Sequence, residues 1–118
     1  MVETRTAVSN LEEILSVKGI SGVYVGPSDL SLSMGKPPTL DPTDKDVLTA
    51  IDIIVKTTRK FGHIAGVHCD GPATALRRFD GGFQMCTILN DVRLMAVAAQ
   101  NAIREVRGQG EAAKAKTY

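Results

Sequence analysis

A chain of 118 residues makes one domain at most and can bury about two-thirds of the surface its unfolded form exposes. Its 43% hydrophobic and 23% charged residues are ordinary for a globular protein. The net charge of +1, with basic clusters only at Arg77-Arg78 and in the tail at Lys114 and Lys116, excludes a strong electrostatic case for nucleic acid.

Met1-Val2 reads as the end of a strand, and Thr6 to Leu15 place Ala7, Leu11, Ile14 and Leu15 at helical spacing, with Asn10 available as a restarting N-cap. Val23 to Val25 is a short β-branched and aromatic run, so residues 22–26 predict a buried strand. Leu30 to Leu40 read as a loop, broken by Met34-Gly35-Lys36-Pro37-Pro38. Asp41-Pro42 predicts a helix start, with Asp41 as cap, Pro42 at the first position and Asp44 in the first turn. That helix carries Val47, Leu48, Ile51, Ile54, Val55 and Thr58 on one side and ends at Gly62. Ile64 to Val67 is the next strand, a short helix opens at Gly71-Pro72 and runs to about Phe79, and Phe83 to Leu89 is the last strand. Asn90 or Asp91 then caps a helix over residues 92–106, whose apolar residues spread widely enough to pack on two surfaces. Residues 1–107 form one unit and 108–118 a polar tail.

Strands alternating with helices predict an α/β fold of βα units with a parallel sheet. Three strands and a stub are too few to close a (β/α)8 barrel. No run approaches the ~18 apolar residues of a membrane span, and no signal-peptide pattern is present. Cys69 and Cys86 each lie in or beside an apolar run and read as buried reduced thiols, which makes the cytoplasm the expected compartment.

The candidate chemistry sits where strands end. Gly22-Val23-Tyr24-Val25 stops at Gly26-Pro27, and an acid, Asp29, follows at once; Glu3 likewise follows the Met1-Val2 stub. Carboxylates at the carboxyl ends of successive parallel strands converge on one mouth, where α/β proteins hold ligands and hard cations. Taken without that convergence, Glu3 is an exposed first-turn acid and Asp29 a turn or cap aspartate. His68-Cys69-Asp70 offers too few ligands at the right spacing for tetrahedral zinc, and His68 is better placed as a strand-end residue lining the mouth. Ser28 and Ser31 have no His/Asp partners nearby in sequence for a nucleophilic triad, and Ser28 reads as a turn residue. Asp91 reads as a helix cap, Arg93 as a surface or subunit-interface residue, and Tyr24 and the methionines as core. No G-x-G-x-x-G or P-loop supports a nucleotide-binding reading.

Val2-Glu3-Thr4-Arg5, Gly19-Ile20-Ser21-Gly22-Val23-Tyr24-Val25-Gly26-Pro27-Ser28-Asp29-Leu30-Ser31, Gly66-Val67-His68-Cys69 and Asp91-Val92-Arg93-Leu94-Met95 occur in that order. With these the chain resembles the C-terminal half of the HpcH/HpaI aldolase family, metal-dependent class II pyruvate aldolases related to citrate lyase β subunits. The resemblance implies the C-terminal part of a (β/α)8 TIM barrel, about three to four βα units. It also implies cleavage of 4-hydroxy-2-oxo acids into pyruvate and an aldehyde. By the same resemblance Glu3 and Asp29 hold a divalent metal (Mg2+, Mn2+ or Co2+) that polarises pyruvate, and Gly26, Pro27, Ser28 and Asp29 bind the substrate. The family's catalytic Arg and His have no counterpart here, so the chain on its own is expected to be an inactive fragment. The alternatives are a non-catalytic half-barrel remnant and a relative of the CoA-ester lyases. The expected partners are a small oxo acid and further copies of the chain, hexamers being typical of the family.

Overall fold

In the computed structural model, which describes residues 1–108, three strands lie side by side and all run the same way. They are β1 (Gly22–Val25), β2 (Ile64–Cys69) and β3 (Met85–Ile88), in that spatial order. Val23 pairs with Ala65 and Val25 with Val67, while Val67 pairs with Cys86 and His68 with Thr87. Val2 adds a fourth position through a parallel bridge to Val25, with the Val2 amide donating to the Tyr24 carbonyl at 2.8 Å. The expected parallel α/β arrangement is therefore what forms.

Alternation on the strands sorts the two faces. Val2, Val23, Val25, Ala65, Val67 and Cys69 are buried under the helices. The opposite face presents Tyr24, Gly66, His68, Met85 and Thr87, none of them buried apart from the side-chain-free Gly66. Tyr24 and the methionines are thus not core: Tyr24 points away from the helices, and Met1, Met85 and Met95 are exposed. Only Met34 packs against the core, and it is partly buried.

The helices cover one face only. α1 (Arg5–Ser9) and α2 (Leu11–Leu15) are separated at Asn10, as expected, but the Asn10 side chain caps nothing. α3 (Pro27–Ser33) occupies residues read as a turn followed by a loop. Pro27 fixes φ at the first helical position and Leu30 and Ser31 are fully buried, so the chain is helical until the break at Met34. α4 (Lys45–Lys60) starts at Asp44 rather than Asp41, because Asp44 Oδ1 accepts from the amides of Asp46 (3.0 Å) and Val47 (3.4 Å). Asp41 instead accepts from Arg77 at 2.6 Å. α4 buries Val47, Ala50, Ile51, Ile54, Val55 and Thr58, while Leu48 is exposed on its flank.

α5 (Pro72–Asp80) covers β2 and β3 through Thr74 and Ala75. α6 (Asp91–Val106) is capped by Asn90, whose side chain accepts from the Arg93 amide at 2.9 Å, so Asp91 is its first residue and not its cap. The expectation that α6 packs on two surfaces fails: none of its residues is buried. The polar tail from 108 onward lies outside the described residues except for Gly108. Among the described residues no helix is long and apolar enough to cross a membrane.

Candidate metal and substrate site

Each residue of the Glu3-Thr4-Arg5 run has its own task. The Val2 bridge ties the start of the run to β1. Thr4 caps α1 by accepting from the Ala7 amide at 3.1 Å. Arg5 fastens the run to the end of α3, its amide donating to Ser33 Oγ at 3.0 Å and its guanidinium to the Met34 carbonyl at 3.3 Å. Glu3, between these anchors, is held over the turn from β1 into α3. The Arg5 tether was not legible from residue spacing, since Arg5 bonds to residues 28 and 29 positions away.

Asp29 reaches the same place from the other side. The buried Gly26 ends β1, and a Cβ placed on it would lie 2.7 Å from Glu3 Oε2 and 3.5 Å from Asp29 Oδ2. The two oxygens cannot be farther apart than the sum of those distances, well under a nanometre. Glycine keeps this space open, since a Cβ here would lie against both carboxylates. Glu3 is half-buried and Asp29 exposed, so the cradle opens to solvent on the Asp29 side.

No side chain caps α3 at Gly26, and the amides of Ser28 and Asp29 belong to its first turn, which has no intrahelical acceptor. The Ser28 hydroxyl is buried and has no hydrogen-bond partner among the described residues. The buried Ser31 hydroxyl donates back to the Pro27 carbonyl at 2.7 Å, in keeping with a structural role. Two carboxylates around an open cradle suit a hard divalent cation, which retains positions for water and other oxygen ligands. No group of three or more His, Cys, Asp and Glu side chains gathers around a metal-sized point among the described residues.

His63 and Cys69 separate from this pair. His63 lies elsewhere, its Nε2 bonded to the Leu15 carbonyl at 3.0 Å. His68 is on the uncovered face, with Nδ1 at 3.1 Å from Tyr24 Oη and 2.8 Å from Thr87 Oγ1. Cys69 faces the other way, buried and free, and burial pushes its thiol up to about 12, with Cys86 beside it adding to the rise. The His-Cys-Asp run is thus split between two faces of the sheet. Tyr24 and Thr87 had no sequence signal as a pair, because they meet only through the register of three strands.

Residues 1–78 match the family described as HpcH/HpaI aldolase/citrate lyase. A hydroxypyruvate/pyruvate aldolase of Rhizorhabdus wittichii is 36% identical over 107 residues, which cover 91% of this chain and 43% of that protein. A 4-hydroxy-2-oxo-heptane-1,7-dioate aldolase of Escherichia coli is 32% identical over 117 residues, covering 99% of this chain and 44% of that protein. The crystal structure of an HpcH/HpaI aldolase/citrate lyase family protein from Burkholderia cenocepacia superposes with a TM-score of 0.83 at 29% identity, over 90% of this chain and 40% of the other. An HpcH/HpaI aldolase from Desulfitobacterium hafniense shares the fold with a TM-score of 0.79 at 20% identity. The chain spans less than half the length of the relatives it matches.

Proposed function

The chain belongs to the HpcH/HpaI aldolase/citrate lyase family, and from that premise we propose that it carries the cation-binding side of an aldolase site. Its three strands and the Val2 bridge are an arc of a (β/α)8 barrel, and the cradle lies at the carboxyl ends of those strands, where such barrels place their chemistry. The reaction is reversible cleavage of a 4-hydroxy-2-oxo acid into pyruvate and an aldehyde.

The observation that carries this reading is the convergence of Glu3 and Asp29 on Gly26. In it, Glu3 and Asp29 hold Mg2+, Mn2+ or Co2+. When bound, the ion supplies Lewis-acid polarisation of the keto oxygen. Gly26 and Pro27 set the turn and keep backbone close to the ligand. The Ser28 and Asp29 amides donate to the substrate carboxylate, a backbone contact that leaves both side chains free for other work. Val2, Arg5 and Ser33 keep Glu3 at fixed distance from the turn, so the two carboxylates need little reorganisation to receive the ion. As a whole protein the assembly is a homo-oligomer acting in the cytoplasm on a small oxo acid.

Calorimetric titration with Mn2+ tests the proposal directly. Glu3→Gln and Asp29→Asn should each weaken Mn2+ binding by about tenfold or more, on the scale by which carboxylate and supporting changes affect metal sites. Pyruvate should bind more tightly to the Mn2+-loaded chain than to the metal-free chain. Wild-type affinity in both variants would remove the basis of the reading.

A further inference from the structure

The uncovered face carries a hydrogen-bonded cluster to which the cation cradle gives no task. Val2 bridges Val25, Val25 pairs with Val67, and Val67 pairs with Cys86. One residue further along, His68 and Thr87 pair in the next row of the sheet, while Glu3 and Gly26 follow Val2 and Val25 just past the strand ends. Val2, Val25 and Val67 are buried under the helices, so the His68 row leaves from the opposite face. His68 therefore stands one strand from Gly26, the residue both carboxylates flank.

Tyr24 is two residues back on the same face and reaches up into that row. Its ring crosses Gly66, its partner in register, where a Cβ would lie 3.1 Å from Tyr24 Cδ2 and 2.7 Å from Met85 Cε. The phenol oxygen is then 2.5 Å from Thr87 Oγ1 and 3.1 Å from His68 Nδ1, and Thr87 Oγ1 is 2.8 Å from His68 Nδ1. Proton counting distinguishes the two tautomers. With Nδ1 as acceptor, Tyr24 donates to Thr87, Thr87 donates to Nδ1, both hydroxyl protons stay inside the triangle and the ring proton is on Nε2. With the proton on Nδ1, one of the two hydroxyl hydrogens turns out of it. The inference takes the first arrangement. No hydrogen bond forms at Nε2 among the described residues.

We propose that His68 determines specificity for the aldehyde partner, its Nε2–H donating to a hydroxyl next to the aldehyde carbonyl, with Tyr24 and Thr87 as positioning residues. The inference rests on the aldolase reading of the cradle. It selects short hydroxy-aldehydes over alkyl aldehydes, because a donor built for a substrate oxygen is left unpaired by the analogue that lacks it.

Two readouts on the 118-residue chain test it. Long-range 1H–15N correlation of His68 should show the proton on Nε2; Thr87→Val and Tyr24→Phe should shift protonation toward Nδ1, and Thr87→Ser should restore it. With Mg2+ and pyruvate present, glycolaldehyde should bind about tenfold or more tightly than propanal, followed through the His68 ring signals. His68→Leu, followed through other resonances at the mouth, should bring the ratio close to one, and His68→Gln, which keeps a donor at the same reach, should retain much of it. The inference is overturned by a resting proton on Nδ1, by equal binding or no binding of the two aldehydes, or by a ratio that His68→Leu leaves unchanged. Failure of the cradle reading shows separately, as wild-type Mn2+ affinity in Glu3→Gln and Asp29→Asn.

Discussion

Gly26 shows how much chemistry one missing side chain can hold. Gly26→Ala would place a methyl group within 2.7 Å of Glu3 Oε2, so the carboxylate must swing away. The expected outcome is a fall in Mn2+ affinity of about tenfold, with little change in the thermal midpoint, because the obstructing atom is the end of a flexible side chain. Calorimetry and a melting curve on one preparation check both halves. Cys69 gives a second test. The fold keeps its thiol protonated up to about 12 against an ordinary value of 9.0. That stabilisation is whole below 9.0 and fades as pH rises toward 12, and Cys69→Ala should flatten the alkaline decline in the urea midpoint. That Glu3 and Asp29 come together was legible in the sequence because each is an acid just past a strand end. The Tyr24, His68 and Thr87 cluster was not, since three residues on three strands share no spacing until the register joins them.

Among the elements, the strands and the two long helices could be read from alternation and helical period, since burial on one face imposes both. α3 could not, because Gly26-Pro27 and Gly35 to Pro38 resemble loop punctuation and only seven residues lie in the helix. Its place in the fold depends on Leu30, which is fully buried. Leu30→Ala should cost about 2–5 kcal/mol in urea unfolding and loosen the turn that carries Asp29. The start of α4 was misplaced because Asp41-Pro42 imitates a helix start. Lys36 holds the Asp44 carboxyl below its ordinary value of 3.8, and Asp44 raises Lys36 in return. A depressed carboxyl stabilises above its unfolded value and loses that contribution as pH falls through its folded one. Asp44→Ala should therefore lower the urea midpoint at neutral pH and weaken its dependence on acid, whereas Asp41→Ala should leave the α4 cap intact.

The molecule as a whole is covered on one side only. Ile64 and Met85 on the open sheet face, and Val92, Leu94, Met95, Ile103 and Val106 on α6, are all exposed. Apolar surface of that extent favours association, so sedimentation velocity should show species larger than the monomer as concentration rises. The Val2 bridge has a different consequence. The backbone hydrogen bond from the Val2 amide to the Tyr24 carbonyl at 2.8 Å, with the Arg5 tether, holds Glu3 beside Gly26, and in the proposed site it helps set the gap a cation would span to Asp29. Loading the ion and docking this segment are thus thermodynamically linked, and each strengthens the other by the same factor. Deuterium uptake at that amide should slow on addition of Mg2+ and recover with a chelator, making one peptide group a gauge of occupancy that needs no turnover.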